Sequence, residues 1–546
     1  MMIRRAILPL LLAAAIPYAL HGQVAPGRIV RAADEPNNWL TYSGGYFGQR
    51  HSSLRQVDAA NVKNLETKWI FQANSLQSFS ATPLVVDGIM YVTQAPNDVL
   101  AIDAVTGKVF WMYHYAASPG RLCCRGQVNR GVAIHGDTLF MATVDAYLVA
   151  LDAKNGRPIW KSKVGDAPNA YGMTLAPLVI KDKVLVGVAG AEFGIRGYIA
   201  AYEVATGKEA WRFYTIPGPG EPGHETWKGD SWQHGGGSVW TTGTYDAELN
   251  LTYWGIGNPG PDFNSAQRPG DNLYSDSVVA LDADTGKLKW HFQFTPNDPY
   301  DYDSTQVPVL VDANWNGAPR KLMYFANRNG FFYVLDRVTG QFLLGKAYTQ
   351  VNWTSGLDPK GRPVLTPQNA GETTFPGPLG ATNWYSPSFS PSTNLFYLSA
   401  WENYGQVFDA GDPVEFREGQ NFTGGRLAPP PGAPVMPGMQ RGPVNTWHEG
   451  AAHGTIMAID PKTGTKKWGY EMHDVTTSGV LTTAADLLFV GGREGYFHAL
   501  DARTGALLWK MNVGGETAAG PMTYQVDGKQ YVAVAAGHSL FAFALR

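Results

Sequence analysis

The sequence predicts an all-β fold, an eight-bladed β-propeller, because a short strand–turn–strand unit recurs along the chain. The unit reads VVALDADTGKLKW at 278–290 and combines a β-branched strand, a tight turn built on Asp and Gly, and a second strand. Related copies occupy 99–111, 148–160, 199–211, 332–344, 456–468 and 497–509, and all except 332–344 end in Trp. A β-unit that repeats about every 40–55 residues is typical of propellers.

The remaining elements complete the predicted ring. Hairpins are expected at 81–94, 178–189 and 522–536, and the first strand lies near residues 62–72. A strand at 394–403 would form a degenerate eighth unit in the long gap between the motif acids Asp336 and Asp460. The last strand, 539–545, would pair with N-terminal strands and close the ring, which removes exposed sheet edges.

Composition favours one large domain over residues 24–546. Charged residues are only 16% of the chain, while 63 Gly, 36 Pro and 17 Trp suit many short strands joined by turns. The formal net charge of −3 provides no basic field, so nucleic acid is not expected as a partner.

Residues 1–23 read as a signal peptide. Arg4 and Arg5 precede the apolar stretch 6–20, which is short and interrupted by proline. We therefore expect an exported, periplasmic protein without a membrane span; a retained anchor is the alternative. The 2 cysteines are adjacent, Cys123 and Cys124, and are either unrelated thiols or a strained vicinal disulfide. The sequence has no Cys-x-x-Cys-His motif for covalent haem.

Two Pro/Gly-rich stretches interrupt the repeat, at 214–237 and 409–454. Insertions in a propeller are expected as loops on one face, where sites tend to be built. Candidate oxygen ligands stand in loops: Glu192, Asn258, Asp301 and Asp303. Such a set suits a hard cation, although a lone loop carboxylate is more often a solvated surface group.

Taken together, the motifs resemble those of the pyrroloquinoline quinone (PQQ)-dependent alcohol dehydrogenases of the methanol/ethanol dehydrogenase family. The resemblance extends over the whole mature chain. It is carried by the Trp repeats, Cys123-Cys124, Gly190-Ala191-Glu192, GGGSVW at 235–240, Gly257-Asn258-Pro259, TPND at 295–298 with Asp301, and NRNG at 327–330.

The resemblance implies a role for each matching residue. Glu192, Asn258 and Asp301 would be metal ligands, with Asp301 also the general base, and Arg328 would lie beside the reactive carbonyl. Trp240 would be the floor beneath PQQ and a Cys123–Cys124 disulfide its ceiling. Further cofactor contacts would come from Arg130, Thr174, Gly190, Ala191 and Ser238. A flat acidic cofactor needs such an aromatic surface and cationic partners.

Asp303 distinguishes two metals. Members resembling the lanthanide-dependent enzymes have a second Asp two positions after the catalytic Asp, whereas calcium enzymes usually have a small residue there. Three carboxylates, from Glu192, Asp301 and Asp303, balance a trivalent ion better than a divalent one. One lanthanide ion is therefore expected, with Ca²⁺ as the alternative if Asp303 faces solvent.

Three positions depart from the family pattern: Ser80 replaces a Glu, Thr477 replaces a Trp, and the region of Trp401 has no clear counterpart of a conserved Asn. Loss of bulk favours a substrate larger than methanol, unless Trp401 refills the space.

The predicted function is oxidation of primary alcohols to aldehydes, by metal-assisted hydride transfer to the quinone. Electrons would pass to a separate soluble cytochrome c, and a second copy of the chain could make a homodimer. Two alternatives stay open: a non-catalytic propeller scaffold of the outer-membrane assembly type, and a quinoprotein acting on sugars or polyols.

Overall fold

The computed structural model of the chain describes residues 24–75, 77, 79–118, 128–369, 371–428 and 452–546. Within these residues helical structure is limited to one α-helix, Pro26–Val30, and to short 3₁₀ segments at Ala32–Asp34, Val62–Asn64, Ala167–Asn169, Ala191–Phe193, His224–Thr226, Ser231–His234 and Ser265–Gln267. None of the helices in these ranges has the length and apolar character needed to cross a bilayer.

Eight sheets of the described chain have the meandering antiparallel order of a propeller blade, and we number them in chain order. Blade 1 has the strands Leu84–Val86, Ile89–Gln94, Asp98–Asp103 and Val109–Tyr113; blade 2 has Val132–His135, Thr138–Ala142, Tyr147–Asp152 and Pro158–Lys163; and blade 3 has Leu178–Ile180, Lys183–Gly187, Tyr198–Glu203 and Glu209–Tyr214. Blade 4 has Thr244–Asp246, Leu251–Gly255, Ser277–Asp282 and Leu288–Gln293; blade 5 has Val309–Trp315, Ala318–Ala326, Phe331–Asp336 and Phe342–Ala347; and blade 6 has Ser388–Ser390, Leu395–Glu402, His453–Asp460 and Thr465–Glu471. Blade 7 has Val480–Thr483, Leu487–Gly491, Tyr496–Asp501 and Leu507–Asn512, and blade 8 has Met522–Val526, Lys529–Ala536, Ser539–Leu545 and Leu65–Gln72.

Shorter strands lie outside this pattern. His51–Ser52 adds to blade 7 in parallel with Val480–Thr483. Two small sheets come from the segment between blades 5 and 6 and from the insertion within blade 6: Thr354–Leu357 pairs with Pro363–Leu365, and Thr373–Thr374, Gln406–Asp409 and Arg426–Ala428 form a three-stranded sheet.

The repeated Asp and Gly build the turn between the third and fourth strands of a blade. In blade 1, Asp103 Oδ1 accepts hydrogen bonds from the backbone N–H groups of Val105 (2.8 Å) and Thr106 (3.0 Å). Gly107 then adopts φ +74°, a conformation that side chains other than Gly disfavour. The motif is therefore a local turn that folds in the same way in successive blades.

The Trp that ends most units fastens each blade to the next. Its Nε1 donates to a backbone carbonyl beside the next turn, at 3.0–3.2 Å: Trp69 to Ala104, Trp111 to Ala153, Trp160 to Val204, Trp211 to Ala283, Trp290 to Arg337 and Trp468 to Ala502. The Trp ring also covers the next motif Gly, so that a Cβ built on Gly286 would stand 2.4 Å from the ring of Trp211. Blade 5 lacks the Trp, and Leu344 and Lys346 cover Gly464 instead.

The hydrophobic core lies between the faces of neighbouring blades. Fully buried side chains such as Phe140, Leu185 and Val279 belong to one cluster that connects blades 1 to 4. A second cluster, which includes Leu100, Phe489 and Phe543, connects blades 7, 8 and 1. Burial of these faces supplies most of the driving force for closing the ring.

Ring closure is confirmed. Leu65–Gln72, the first strand of the ring, pairs antiparallel with Ser539–Leu545, with Leu65 opposite Leu545 and Gln72 opposite Ser539. The hairpins predicted at 81–94, 178–189 and 522–536 are also confirmed.

The predicted placement of the eighth unit was wrong, although eight blades are present. The predicted strand at 394–403 is Leu395–Glu402, and it belongs to the same blade as the motif acid Asp460. A long insertion separates those two strands of blade 6, which mimics a missing unit in the sequence. The blade without the motif is blade 8, formed by the two ends of the chain.

Candidate active site

Blade topology brings the predicted site residues to one face of the propeller. In an antiparallel blade, the loop that enters the first strand and the loop between the second and third strands lie at the same end. We call this end the upper face. These two kinds of loop contain all the predicted site residues that the structure describes: Arg130, Thr174, Gly190, Ala191, Glu192, Ser238, Trp240, Asn258, Asp301, Asp303 and Arg328.

Asp303 connects Trp240, Arg328 and Asn258 through its carboxylate. Its Oδ2 accepts a hydrogen bond from Trp240 Nε1 (3.0 Å) and an ion-pair contact from Arg328 Nη2 (2.9 Å). Its Oδ1 accepts from the backbone N–H of Asn258 (2.8 Å). Gly257 permits this approach, because a Cβ there would stand 2.2 Å from Asp303 Oδ1. Asp303 is 6% exposed, so the alternative that it faces solvent does not hold in this structure.

Arg328 holds the loop that contains Asp301. Its Nη1 donates to the Asp301 carbonyl (2.7 Å) and lies 3.3 Å from Asp301 Oδ1. The same nitrogen donates to the Pro378 carbonyl (3.0 Å), and Nη2 reaches Asn383 Oδ1 at 3.4 Å. Burial alone would lower the pKa of Arg328, but the charges of Asp303 and Asp301 raise it above its ordinary value. The guanidinium is therefore a fixed cation at the site.

Asp301 has the environment of a general base. Its backbone adopts φ +63°, and its side chain remains 25% exposed. Burial raises its pKa well above the usual range, Arg328 opposes the rise, and Asp303 adds to it. A carboxylate whose pKa is raised accepts a proton more readily than one in water.

Asp298 stabilises the loop that contains Asp301 through hydrogen bonds to its backbone. Its two carboxylate oxygens accept from the backbone N–H groups of Tyr300 (2.8 Å) and Tyr302 (2.6 Å). Burial raises its pKa to about 6 against the lowering effect of these hydrogen bonds. This local turn gives Asp301 its left-handed backbone and directs the loop into the site.

Arg130 and Trp240 form the second part of the site. The Arg130 guanidinium lies 4.8 Å from the ring centre of Trp240 and 4.5 Å from that of Trp384. Its Nη1 donates to Thr174 Oγ1 (2.8 Å) and to the Trp240 carbonyl (3.3 Å). Arg328 approaches the same Trp240 ring at 5.8 Å. Trp240, which is partly exposed, therefore presents a flat ring between two guanidinium groups.

Gly190, Ala191 and Ser238 form the wall beside Trp240. The Ala191 N–H donates to Ser238 Oγ at 3.0 Å. Gly190 has φ +126°, and a Cβ there would stand 2.3 Å from the Ala170 carbonyl, so this position requires glycine. The predicted cofactor contacts from this part of the chain therefore lie together: Thr174, Gly190, Ala191, Ser238 and Trp240.

The insertions lie on the same face, as predicted. The Phe422 N–H donates to the Glu192 carbonyl (2.7 Å), and the Phe416 ring stacks on His234 with 3.4 Å between ring centres. Residues 429–451 of the second insertion lie outside the described residues, as do Cys123 and Cys124. The disulfide therefore stays a prediction.

The predicted metal ligands are neighbours but do not enclose an ion in this structure. Among the described residues, no group of three or more His, Cys, Asp or Glu side chains is arranged to hold a metal. Glu192 is exposed, whereas Asn258 is 4% exposed and Asp303 is occupied by Trp240 and Arg328. The donor chemistry nevertheless fits a hard cation, because the carboxylates of Asp301 and Asp303 meet at one guanidinium beside Asn258.

Several residues at the site were missed by the sequence reasoning. Asn383 and Trp384 contact Arg328 and Arg130, respectively. Asn383 is therefore an Asn at the entry to blade 6 that contacts Arg328. Trp401 is 3% exposed and donates from Nε1 to the Thr476 carbonyl (2.7 Å). The Asn-Trp pair at the entry to blade 6 was the available signal.

Comparison with known proteins extends this description. The family model described as glucose/ethanol/alcohol dehydrogenase, β-propeller domain (PQQ) matches residues 39–354 and 354–532. The quinohemoprotein alcohol dehydrogenase ADH IIB of Pseudomonas putida is 38% identical over 97% of this chain and 77% of its own. The quinoprotein alcohol dehydrogenase PedH of Pseudomonas putida is 35% identical over 95% of this chain and 89% of its own. The solved structure of a europium-containing methanol dehydrogenase has a TM-score of 0.86 and 30% identity, and the match covers 95% of this chain and 100% of that chain.

The fold and the upper-face site define a propeller enzyme with an aromatic and cationic cofactor site beside a cluster of carboxylates. The chain belongs to the PQQ-dependent alcohol dehydrogenase family. The site fits this cofactor: Trp240 offers a flat surface, Arg130 and Arg328 offer positive charge, and Arg328 Nε has no hydrogen-bond partner among the described residues.

Proposed function

We propose that this chain oxidises primary alcohols to aldehydes in the periplasm, with PQQ and one lanthanide ion, and delivers the electrons to a separate cytochrome c. The observation that carries the proposal is that Asp301 and Asp303 share one guanidinium, that of Arg328, directly beside Trp240. This arrangement unites a base, a cation and a cofactor surface.

The residues divide the chemistry among them. When bound, PQQ accepts two electrons as hydride, and the metal ion acts as a Lewis acid. Asp301 accepts the hydroxyl proton of the alcohol, because its carboxylate is partly exposed and has a raised pKa. Arg328 keeps Asp301 in place through the 2.7 Å bond to its carbonyl and stabilises negative charge that develops near it.

Charge supports a lanthanide over calcium. Glu192, Asp301 and Asp303 supply three formal negative charges, and the two aspartates also form salt bridges with Arg328. Together with an acidic cofactor, these carboxylates leave more negative charge than a divalent ion of the same coordination would balance. The similarity to a methanol dehydrogenase that contains europium agrees with this choice.

Export is proposed from the sequence, and the electron acceptor from the names of the relatives. Residues 1–23 have a basic start and an apolar stretch typical of secretory signals. A cytochrome c is proposed as the acceptor because several relatives of this chain are named quinohemoproteins.

The substrate is proposed to be larger than methanol. Thr477, at the position where methanol dehydrogenases have Trp, donates from Oγ1 to Glu516 Oε1 at 2.8 Å. Trp401 is 3% exposed and packs against Tyr385 with 6.2 Å between ring centres. The proposal of a longer alcohol therefore rests on the smaller side chain of Thr477.

Reconstitution tests the proposal. Metal-stripped protein would receive PQQ with La³⁺ or Ca²⁺, and dye-linked oxidation would be measured for methanol, ethanol and longer primary alcohols, with glucose and glycerol as controls. We expect activity with La³⁺, highest for an alcohol longer than methanol, and a fall of about 10²–10⁴-fold in kcat for Asp301→Asn. Activity with Ca²⁺ but not with La³⁺ would contradict the choice of a lanthanide. Binding of PQQ without any turnover would contradict the proposed enzymatic activity, and full activity of Asp301→Asn would contradict the role of Asp301 as the base.

A further inference from the structure

Blade 7 contains an arginine, Arg493, at the position that Arg328 occupies in blade 5. Both lie in the upper-face loop between the second and third strands of their blade, two residues after one strand ends and three before the next begins. The local sequences, NRNG at 327–330 and GREG at 492–495, align without a gap. Because the blades repeat one supersecondary unit around an axis, equivalent loop positions face the same central opening. Arg493 therefore lies on the upper face, two blades away from Arg328.

The carboxylate partner of this arginine is repeated as well. Asp303 and Asp474 each stand six residues before the first strand of their blade. Arg328 Nη2 lies 2.9 Å from Asp303 Oδ2. Arg493 approaches Asp474 Oδ2 only with its Nε, at 3.8 Å, and the same Nε lies 3.7 Å from Glu516 Oε1 in the loop that enters blade 8. The pair in blade 7 is therefore a looser version of the pair in blade 5.

The guanidinium fork of Arg493 is not engaged within the described chain. There its Nη1 and Nη2 donate no hydrogen bond and form no ion pair, and its Nε is too far from either carboxylate for a hydrogen bond. The side chain is only 26% exposed, and Glu516 Oε1 accepts instead from Thr477 Oγ1 at 2.8 Å. The planar donors of a guanidinium match a carboxylate through two parallel hydrogen bonds. The fork is therefore available to an anionic ligand.

Packed groups of blade 6 connect Arg493 with the cofactor site. The Tyr385 ring lies 5.6 Å from the ring of Trp384, which belongs to that site, and 6.2 Å from the ring of Trp401. Trp401 Nε1 donates to the Thr476 carbonyl at 2.7 Å, and the next residue of the chain is the one that binds Glu516. The arginine and the aromatic surface therefore belong to one continuous set of contacts around the upper face.

We propose that Arg493 binds a carboxylate group of PQQ, as a third guanidinium of the cofactor site beside Arg130 and Arg328. The inference rests on the proposed function, because it needs PQQ at the Trp240 surface. An acidic cofactor held by residues of blades 2, 4 and 5 would reach the axis of the ring and present a carboxylate to blade 7. A charge-assisted hydrogen bond from a guanidinium is about twice as strong as a neutral one. The two carboxylates near Nε would orient Arg493 and leave its fork to the cofactor.

The test measures cofactor binding rather than turnover. The metal-loaded apoprotein would be titrated with PQQ and followed by absorbance, for the wild type, Arg493→Met, Arg493→Gln and Glu516→Gln, and urea unfolding would compare their stability. Arg503→Met is the matched control, because Arg503 belongs to the same blade but lies at the opposite end. There its Nη2 forms a salt bridge with Asp486 Oδ2 at 2.7 Å.

We expect Arg493→Met to weaken PQQ binding about 10-fold, whereas Arg503→Met should match the wild type. Glu516→Gln keeps an oxygen that accepts from Thr477 and removes a carboxylate that competes with the cofactor, so PQQ binding should be unchanged or tighter.

Unchanged PQQ affinity in Arg493→Met overturns the inference and leaves the proposed function intact. Equal weakening in Arg493→Met and Glu516→Gln also overturns it, because Arg493 would then only tie the loops of blades 7 and 8 together. A wild type that binds no PQQ contradicts the proposed function itself. If Arg493→Met does not fold, Arg493→Gln decides by the same criterion, since Gln can still donate to the neighbouring carboxylates but has no charge.

Discussion

Trp240 Nε1 donates a hydrogen bond to Asp303 Oδ2 across 3.0 Å, so the flat ring of the site is held by one of its carboxylates. The same oxygen receives Arg328 Nη2 at 2.9 Å. Asp303, which the family resemblance associates with the metal, thus also positions the Trp240 ring. Substitutions at Asp303 can separate these two roles.

Asp303→Asn and Asp303→Ala should therefore behave differently. The Asn side chain keeps an oxygen that can accept from Trp240, but it removes the charge, so we expect PQQ affinity to stay within a few-fold and activation by La³⁺ to weaken about 10–100-fold. The Ala side chain should impair both. PQQ titration and La³⁺ activation curves would be measured for each, with Asp412→Asn as an exposed control. Equal PQQ affinity in the two variants would show that Asp303 does not hold Trp240.

The contact between Trp211 and Gly286 should be a stability hot spot of the ring. Gly286→Ala forces φ +69° on Ala and places its Cβ 2.4 Å from the Trp211 ring, which donates to the Ala283 carbonyl at 3.2 Å. Gly528→Ala is a matched control, because Gly528 has φ +74° but nothing within 4 Å of the added Cβ. We expect a loss of about 1 kcal/mol for Gly528→Ala and about 3 kcal/mol or more for Gly286→Ala, measured by denaturant unfolding. Equal losses of unfolding free energy in the two variants would mean that the contact with Trp211 adds no destabilisation beyond the strain of the positive φ.

The sequence predicted those features that local chemistry determines. The turn at Asp103 and Gly107 and the Trp at each strand end repeat in register, so the blades could be counted before their contacts were known. The strands of blade 8 were predicted, but they were not counted as the eighth unit, because they come from both ends of the chain and lack the motif. Asn383 was missed because its role depends on its contact with Arg328, which only the folded ring creates.

His51 should make the protein less stable in weak acid. Burial lowers its pKa to about 4, and its Nδ1 lies 2.9 Å from Thr482 Oγ1 where the N-terminal segment joins blade 7. In the unfolded chain the pKa is about 6.5, so the unfolded state binds more protons as pH falls from about 6.5 towards 4, and stability is lost over that range. By pH 5 the loss from this group is about 2 kcal/mol.

Urea unfolding at pH 7 and pH 5 would measure this loss, and His51→Gln should reduce the difference between the two conditions. His473→Gln, at an exposed histidine, should leave the difference as in the wild type. If His51→Gln keeps the full acid sensitivity, the proton uptake must occur at other groups.

Arg130 should contribute to PQQ binding through its shape as well as its charge. Its guanidinium lies between the rings of Trp240 (4.8 Å) and Trp384 (4.5 Å), and its Nη1 donates to Thr174 Oγ1 at 2.8 Å. A Lys ammonium keeps the charge but cannot stack between two rings or present a planar set of donors. We expect Arg130→Lys to weaken PQQ affinity about 10-fold and Arg130→Met about 100-fold, since each factor of ten is about 1.4 kcal/mol.

Both affinities would be measured by titrating the metal-loaded apoprotein with PQQ and following absorbance, and kcat at saturating PQQ should change less than the affinity. Arg417→Lys, at a side chain that is 65% exposed, is the control. Equal affinity of Arg130→Lys and the wild type would reduce the role of Arg130 to its charge, and equal affinity of Arg130→Met would remove it from the cofactor site.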